Sequence, residues 1–173
     1  YGVAMAGDAA VVAELGTGRI LSIRAGEVEV LASDLREPVG VATAPDGACL
    51  ISEAGAGRVV KIAGSRAETV VDGLQRPQGM LLLDRQLFVV DADAKELIAF
   101  DLEQRTRRTI AWQLPVGAPP GVVPKPLKGL PPFSGPQGPF AGIAAGPDGT
   151  LYVSADADGS VLAFHREAAG RHV

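Results

Sequence analysis

Residues 38–62 read Pro38-Val39-Gly40-Val41-Ala42-Thr43-Ala44-Pro45-Asp46-Gly47-Ala48-Cys49-Leu50-Ile51-Ser52-Glu53-Ala54-Gly55-Ala56-Gly57-Arg58-Val59-Val60-Lys61-Ile62. A short apolar run around the opening glycine forms a strand. Pro45-Asp46-Gly47 follows as a turn, because proline presets φ and glycine accepts positive φ at a hairpin corner. A second β-rich run, a small-residue loop and a third run with apolar side chains on both faces complete an inner set of three strands. The more polar run Glu68-Thr69-Val70-Val71 suits a half-solvated outer edge.

The same unit occurs four times. Gly2-Val3-Ala4, Gly79-Met80-Leu81 and Gly142-Ile143-Ala144 open the other copies, and Pro147-Asp148-Gly149 repeats the turn in the last. Val28-Glu29-Val30-Leu31 and Arg107-Arg108-Thr109-Ile110 repeat the outer run. Inner strands that are apolar on both faces need cover on both sides, and no stretch has the helical period that could supply it. Neighbouring sheets must therefore cover one another. Radial stacking of four-stranded units of about 40 residues is the β-propeller solution. A β-helix would show shorter coils, and an immunoglobulin-like sandwich would lack the fourfold repetition.

The expected fold is thus all-β, a single β-propeller domain over residues 1–173. Its four blades, of about four antiparallel strands each, fall at about 1–37, 38–76, 77–138 and 139–173. The third carries a proline-rich insertion at 115–139. Nine of the chain's 13 prolines lie there, too many for the segment to donate a sheet's N–H groups. The last copy, ending Phe164-His165-Arg166-Glu167, shows no clear fourth strand, and the first begins at Tyr1, directly inside a repeat. The chain is expected to be the C-terminal part of a six-bladed propeller completed by upstream blades. Two chains completing a ring together is the second expectation, and a self-closed four-bladed ring the third.

Composition narrows the partners. A content of 47% apolar and 21% charged residues supports a real core and argues against disorder. A net charge of −4 with only 16 scattered Lys and Arg gives no basic stripe for nucleic acid. No apolar stretch reaches the length of about 20 residues that spans a bilayer. Cys49, the lone cysteine, reads as a small buried hydrophobe. It leaves the compartment open, a secreted or periplasmic setting included.

The run from Pro38 to Gly47, continuing Ser52-Glu53-Ala54-Gly55-Ala56-Gly57-Arg58-Val59, resembles the NHL repeat and its relatives in the senescence-marker-protein/gluconolactonase and strictosidine-synthase-like group. The resemblance implies a propeller, and one scaffold of this kind hosts hydrolases, lyases and binding modules. In the lactonase branch it implies a divalent metal, held over the channel by a Glu, an Asn and an Asp. At the positions ahead of the opening glycines this chain has Val39, Gln78 and Ala141. Of these only Gln78 offers an oxygen to a hard cation, and one neutral ligand does not make a site. A calcium or zinc cofactor would depend on upstream blades; none is evident here. The lyase relatives rely on channel histidines, whereas His165 and His172 lie in or beside the tail.

Chemistry-bearing residues gather on the expected channel-mouth face, where blade-to-blade links and the loops between second and third strands emerge. Glu14, Glu53, Asp91, Asp93, Asp156 and Asp158 form an acidic rim there, suited to a cation or a basic partner. The mutual alignment of Glu14, Glu53 and Asp91 favours a plainer role, holding backbone donors of their own loops. Arg19 and Arg58, each five residues after an aligned Glu, read as structural ion-pair partners. The insertion should cross the mouth with Trp112, Phe133 and Phe140 as aromatic contacts and Lys125 and Lys128 as cations. There is no nucleophile elbow, phosphate loop or paired cysteine set.

The resulting expectation is a non-enzymatic propeller domain that binds a small ligand or protein partner at the channel mouth through Gln78, the three aromatics and the rim carboxylates. The alternative is a gluconolactonase-like, metal-dependent hydrolase whose ligands lie mainly upstream. No catalytic residue is identified.

Overall fold

A computed structural model describes residues 1–44, 46–64, 66–119, 121–122 and 139–165. The opening strands form blade 1: β1 (Val3–Ala6), β2 (Ala9–Glu14), β3 (Arg19–Arg24) and β4 (Glu27–Ala32). Blade 2 contains β5 (Pro38–Thr43), β6 (Cys49–Glu53), β7 (Arg58–Ala63) and β8 (Arg66–Val71). Blade 3 contains β9 (Pro77–Leu83), β10 (Gln86–Asp91), β11 (Glu96–Asp101) and β12 (Thr106–Ala111). Blade 4 contains β13 (Ile143–Ala145), β14 (Leu151–Ala155) and β15 (Ser160–Phe164).

Every sheet is an antiparallel meander in chain order, four-stranded in blades 1 to 3 and three-stranded in blade 4 among the described residues. The expected all-β propeller architecture is therefore observed. One helical turn, Ala54–Ala56, interrupts the strands among the described residues, and no helix is long and apolar enough to cross a membrane.

Alternation along each strand sends successive side chains to opposite faces, so an inner strand serves two interfaces at once. In β6, Cys49 and Ile51 pack with Val11, Ala13 and Ile20 of blade 1. Leu50, between them, packs instead with Leu87, Val89 and Ile98 of blade 3. Blades 3 and 4 meet through Phe88, Val90, Leu97, Leu151 and Val153. Each fully buried Val, Leu or Ile contributes about 1.5–3 kcal/mol relative to exposure. Outer strands β4 and β12 are exposed along most of their length, as their polar composition predicts.

The opening glycines set how close the inner strands come. A Cβ on Gly40 would stand 2.2 Å from the Gln78 carbonyl oxygen, and one on Gly79 would stand 2.4 Å from that of Ala141. The Gly79 N–H donates to that Ala141 carbonyl at 3.0 Å. Between blades 2 and 3 the Ser52 hydroxyl accepts from the Gly40 N–H and donates to the Gln78 carbonyl, both at 2.7 Å.

Among the described residues nothing covers the outward faces of the end blades. Val3 and Met5 are 64% and 59% exposed on one, and Val161 is 66% exposed on the other. Four blades thus form an open arc and not the self-closed four-bladed ring that stood as the third expectation.

Candidate functional site

Links between blades, together with the loops joining second to third strands, emerge at one end of the sheets. There a link from one blade is fastened by a carboxylate of the next. The buried Glu53, its side chain 1% exposed, accepts the Arg36 N–H at 2.7 Å and the Arg58 Nε–H at 2.7 Å. Asp91, fully buried, accepts the N–H groups of Gln75 and Arg76 at 2.8 Å each. Asp156 accepts the Gly117 N–H at 2.8 Å.

These carboxylates therefore serve backbone donors, but of the incoming link and not chiefly of their own loops. The reason is geometric. A strand-end side chain pointing toward the preceding blade meets the chain arriving from it, and a buried anion needs such donors.

Glu14 sits at the equivalent place in blade 1 and meets no link. Its carboxylate takes the Thr17 hydroxyl at 2.6 Å and the Arg19 Nε–H at 2.8 Å, and 32% of the side chain is exposed. The Thr17 hydroxyl first, then the Arg19 hydrogen bond, holds its carboxyl below the usual range. The repeated Glu–Arg pairing read from the sequence is present in both blades.

Asp93 is exposed in the loop after β10 and has no hydrogen-bond partner among the described residues. Asp158 is exposed and accepts the Ser160 N–H at 2.9 Å, which lowers its carboxyl's pKa. All six acids stand at the same end of the blades, but each belongs to its own junction or loop. No group of three or more His, Cys, Asp or Glu able to hold a metal occurs among the described residues.

The amide of Gln78 is engaged inside the arc. Its Oε1 accepts the Ala141 N–H at 2.7 Å and its Nε2 donates to the Pro139 carbonyl at 3.4 Å, so it joins blade 3 to blade 4. Trp112 follows β12 and is 67% exposed. Phe140 precedes β13 and meets the ring of Tyr1 edge-on, centroids 6.2 Å apart. Phe133, Lys125 and Lys128 lie outside the described residues.

The described start of the insertion is clamped to the arc. Leu114 and Val116 are buried between blades 3 and 4, the Lys95 ammonium donates to the carbonyls of Val116 and Ala118, and the Ala157 N–H donates to the Pro115 carbonyl.

Two mouth residues escaped the sequence reading. Glu37 and Arg76 form an ion pair at 2.8 Å between consecutive links, with side chains 49% and 41% exposed. Their signal was present as a repeated Leu-x-x-Pro. Leu35-Arg36-Glu37-Pro38 matches Leu74-Gln75-Arg76-Pro77, with the leucine buried and the residue before proline at the mouth. A cavity of about 570 Å³ lies at the opposite end of blades 3 and 4, lined in part by Arg85, Phe88, Arg108, Phe164 and His165.

At the level of sequence, no protein-family profile and no curated protein matches the chain. Solved structures do. Virginiamycin B lyase from Staphylococcus aureus superposes with a TM-score of 0.64 at 12% identity, over 98% of this chain and 56% of its own. A Bacteroides thetaiotaomicron protein of unknown function gives 0.69 at 16% identity, over 97% and 41%. A chain of the nidogen/laminin complex gives 0.64 at 17% identity, over 95% and 79%. The chain spans little more than half the length of the lyase. At such identities the likeness speaks for the fold, and the fold it speaks for is the β-propeller, of which this chain is a four-bladed arc.

Proposed function

We propose that this arc is a non-enzymatic binding module that takes a small ligand or protein partner on its channel-mouth face. The observation that carries the reading is how the carboxylates there are used. The buried Glu53 and Asp91 have both oxygens committed to donors, and Asp156 gives one oxygen to the Gly117 N–H, so these acids are tied to the scaffold. What the face still offers is recognition chemistry. Its groups are the exposed indole of Trp112, the Tyr1–Phe140 ring pair, the Glu37–Arg76 ion pair and the exposed carboxylates of Asp93 and Asp158. Aromatic anchors with a polar surround are the usual composition of a recognition surface.

Acids outnumber bases among these groups and in the whole chain, which suits a cationic partner. Hexa-arginine titrated against Trp112 fluorescence is the direct probe. Saturable binding that weakens with salt, and weakens several-fold in Asp93→Asn/Asp158→Asn, is expected. An unchanged signal would overturn the cationic preference.

The enzymatic reading is a lactonase-type hydrolase whose calcium or zinc ligands come from blades outside this arc. The short span relative to the lyase keeps it in view. Sugar-lactone hydrolysis assayed with calcium or zinc separates the two. The binding reading expects no turnover and an unshifted melting temperature, and turnover abolished by chelation would replace it.

A further inference from the structure

The cavity of about 570 Å³ between blades 3 and 4 lies at the turn end of the sheets, away from the mouth. Its size falls in the range of about 300–1,000 Å³ usual for small-molecule sites. Leu83, Phe88, Ile110, Leu151 and Phe164 supply its apolar lining. The charged and titratable groups come from all the elements around it: Asp84 and Arg85 from the turn between β9 and β10, Asp101 from the end of β11, Arg108 from β12, and His165 directly after β15.

Such a cleft belongs to a blade junction. The equivalent one between blades 1 and 2, about 350 Å³, is present although blade 2 carries its outer strand β8. The strand registers place Arg108 and His165 where that cleft has Glu29 and Ala63, and Thr150 where it has Ala48. Sheet packing accounts for a gap at both junctions. It does not account for a guanidinium, an imidazole and a hydroxyl in place of an acid and two alanines.

The imidazole is held in one orientation. The Asp148 carboxylate only accepts, so the Thr150 hydroxyl donates to it at 2.8 Å and in turn accepts the Nδ1–H of His165 at 3.1 Å. Thr150 is itself buried, and its N–H donates to Asp148 at 3.1 Å. This order of donors leaves Nε2, which has no partner among the described residues, as the nitrogen that meets a ligand. Of the other charges, Arg85 is paired with Glu103, and Asp101 takes the N–H groups of Glu103 and Gln104. Arg108 has no carboxylate partner among the described residues and reaches the Gln86 Oε1 at 3.4 Å.

We propose that this cleft binds a small organic monoanion, a carboxylate on an apolar body of about one ring, held by Arg108 and His165 with its body against Phe88, Leu151 and Phe164. A guanidinium offers a carboxylate two parallel N–H donors, and a protonated imidazole adds a third at Nε2. Asp148, acting through Thr150, supports the positive charge on that ring. Asp84 and Asp101 disfavour a second negative charge in the ligand.

Titration calorimetry of the purified protein with 3-phenylpropanoate is the test. Saturable binding is expected, with 3-phenylpropanamide and 2-phenylethylamine each at least about tenfold weaker. Carboxylates and guanidinium ions ordinarily keep their charge between about pH 5.5 and 8, so of the groups around the cleft the imidazole is the one that changes. Binding of the anion should therefore be several-fold tighter at the lower pH. Arg108→Gln should weaken it about tenfold at both pH values, and His165→Ala should level the pH dependence. Thr150→Val should lessen that dependence and Thr150→Ser should keep it. No saturable binding at millimolar anion, an amine bound as tightly as the acid, or a pH dependence that survives His165→Ala would each overturn the proposal. None of these readouts involves Trp112 or the mouth, so this inference and the binding function proposed there can fail separately.

Discussion

The carboxylate of Glu53 accepts the backbone N–H of Arg36 at 2.7 Å, across the boundary between blades 1 and 2. This bond and its equivalents at Asp91 and Asp156 fix where each link crosses to the next sheet, and hence where the mouth residues Glu37 and Arg76 stand. The acids of the rim are first of all components of the scaffold, and the face they shape is what remains for recognition.

Replacing Glu53 by Ala should therefore cost far more than replacing Glu14. Loss of the first removes a buried carboxylate and leaves the partly buried Arg36 N–H and Arg58 Nε–H without their acceptor, at about 2–3 kcal/mol. Loss of the second breaks a partly exposed pair worth about 1 kcal/mol or less. Urea midpoints of the two variants measure the difference. Equal midpoints would show that the link is held by something other than the carboxylate.

The close approach of the inner strands makes a second prediction. Gly40→Ala puts a methyl group 2.2 Å from the Gln78 carbonyl oxygen, where backbone must move to admit it, and should cost about 3 kcal/mol. Gly16→Ala meets nothing within 4 Å and should lie within about 0.5 kcal/mol of the parent. Thermal melts of the pair suffice, and a tolerated Gly40→Ala would mean that the blades are less tightly apposed than this spacing implies.

Much of this fold was legible because repetition amplifies weak local signals. The runs around Val41, Ile51, Val60 and Val70 became β5, β6, β7 and β8, and the Glu53–Arg58 pair followed from alignment with Glu14 and Arg19. The partner of a side chain across a junction was not legible, because strand alternation fixes a face but not what stands opposite it. Ser52 and Gln78 look like an ordinary strand-end serine and a possible ligand, yet each bridges two blades. Asp156 fastens its link from the residue after Ala155, and Ala155 stands where the aligned acid would be, so alignment alone hides it. Glu37 and Arg76 hold the same place in two consecutive links but carry opposite charges, so the repeat marks the position and not the pairing.

Acid should unfold the arc along a defined limb. The Asp148 carboxyl is held below its ordinary value, first by the Thr150 N–H and then by the Thr150 hydroxyl. That of Asp101 is lowered first by the Gln104 N–H, and that of Asp46 first by the Lys61 ammonium. A carboxyl whose folded pKa is depressed adds stability above its unfolded pKa and loses it as pH falls through the folded value. Urea midpoints should hardly change between pH 7 and about 5 and should drop below about pH 4. Asp148→Asn should lower the midpoint at neutral pH and flatten the acid limb, and an unchanged limb would assign the loss to other groups.

Cys49 offers a reading of how the junction between blades 1 and 2 opens. Its side chain is 3% exposed among Val11, Ile51 and Ile62, and burial pushes the thiol up from its ordinary value. Reagent attack needs a thiolate in contact with water, so reaction requires the two sheets to separate. If they separate only when the whole arc unfolds, an aromatic disulfide reagent should label the native protein about a thousandfold more slowly than the urea-unfolded chain. The native rate should then rise with the same urea dependence as global unfolding. A native rate within about tenfold of the unfolded one would instead mean that this junction opens locally. Cys49→Ser, which places a hydroxyl in the same apolar contact, should cost about 1–3 kcal/mol, and Cys49→Ala less.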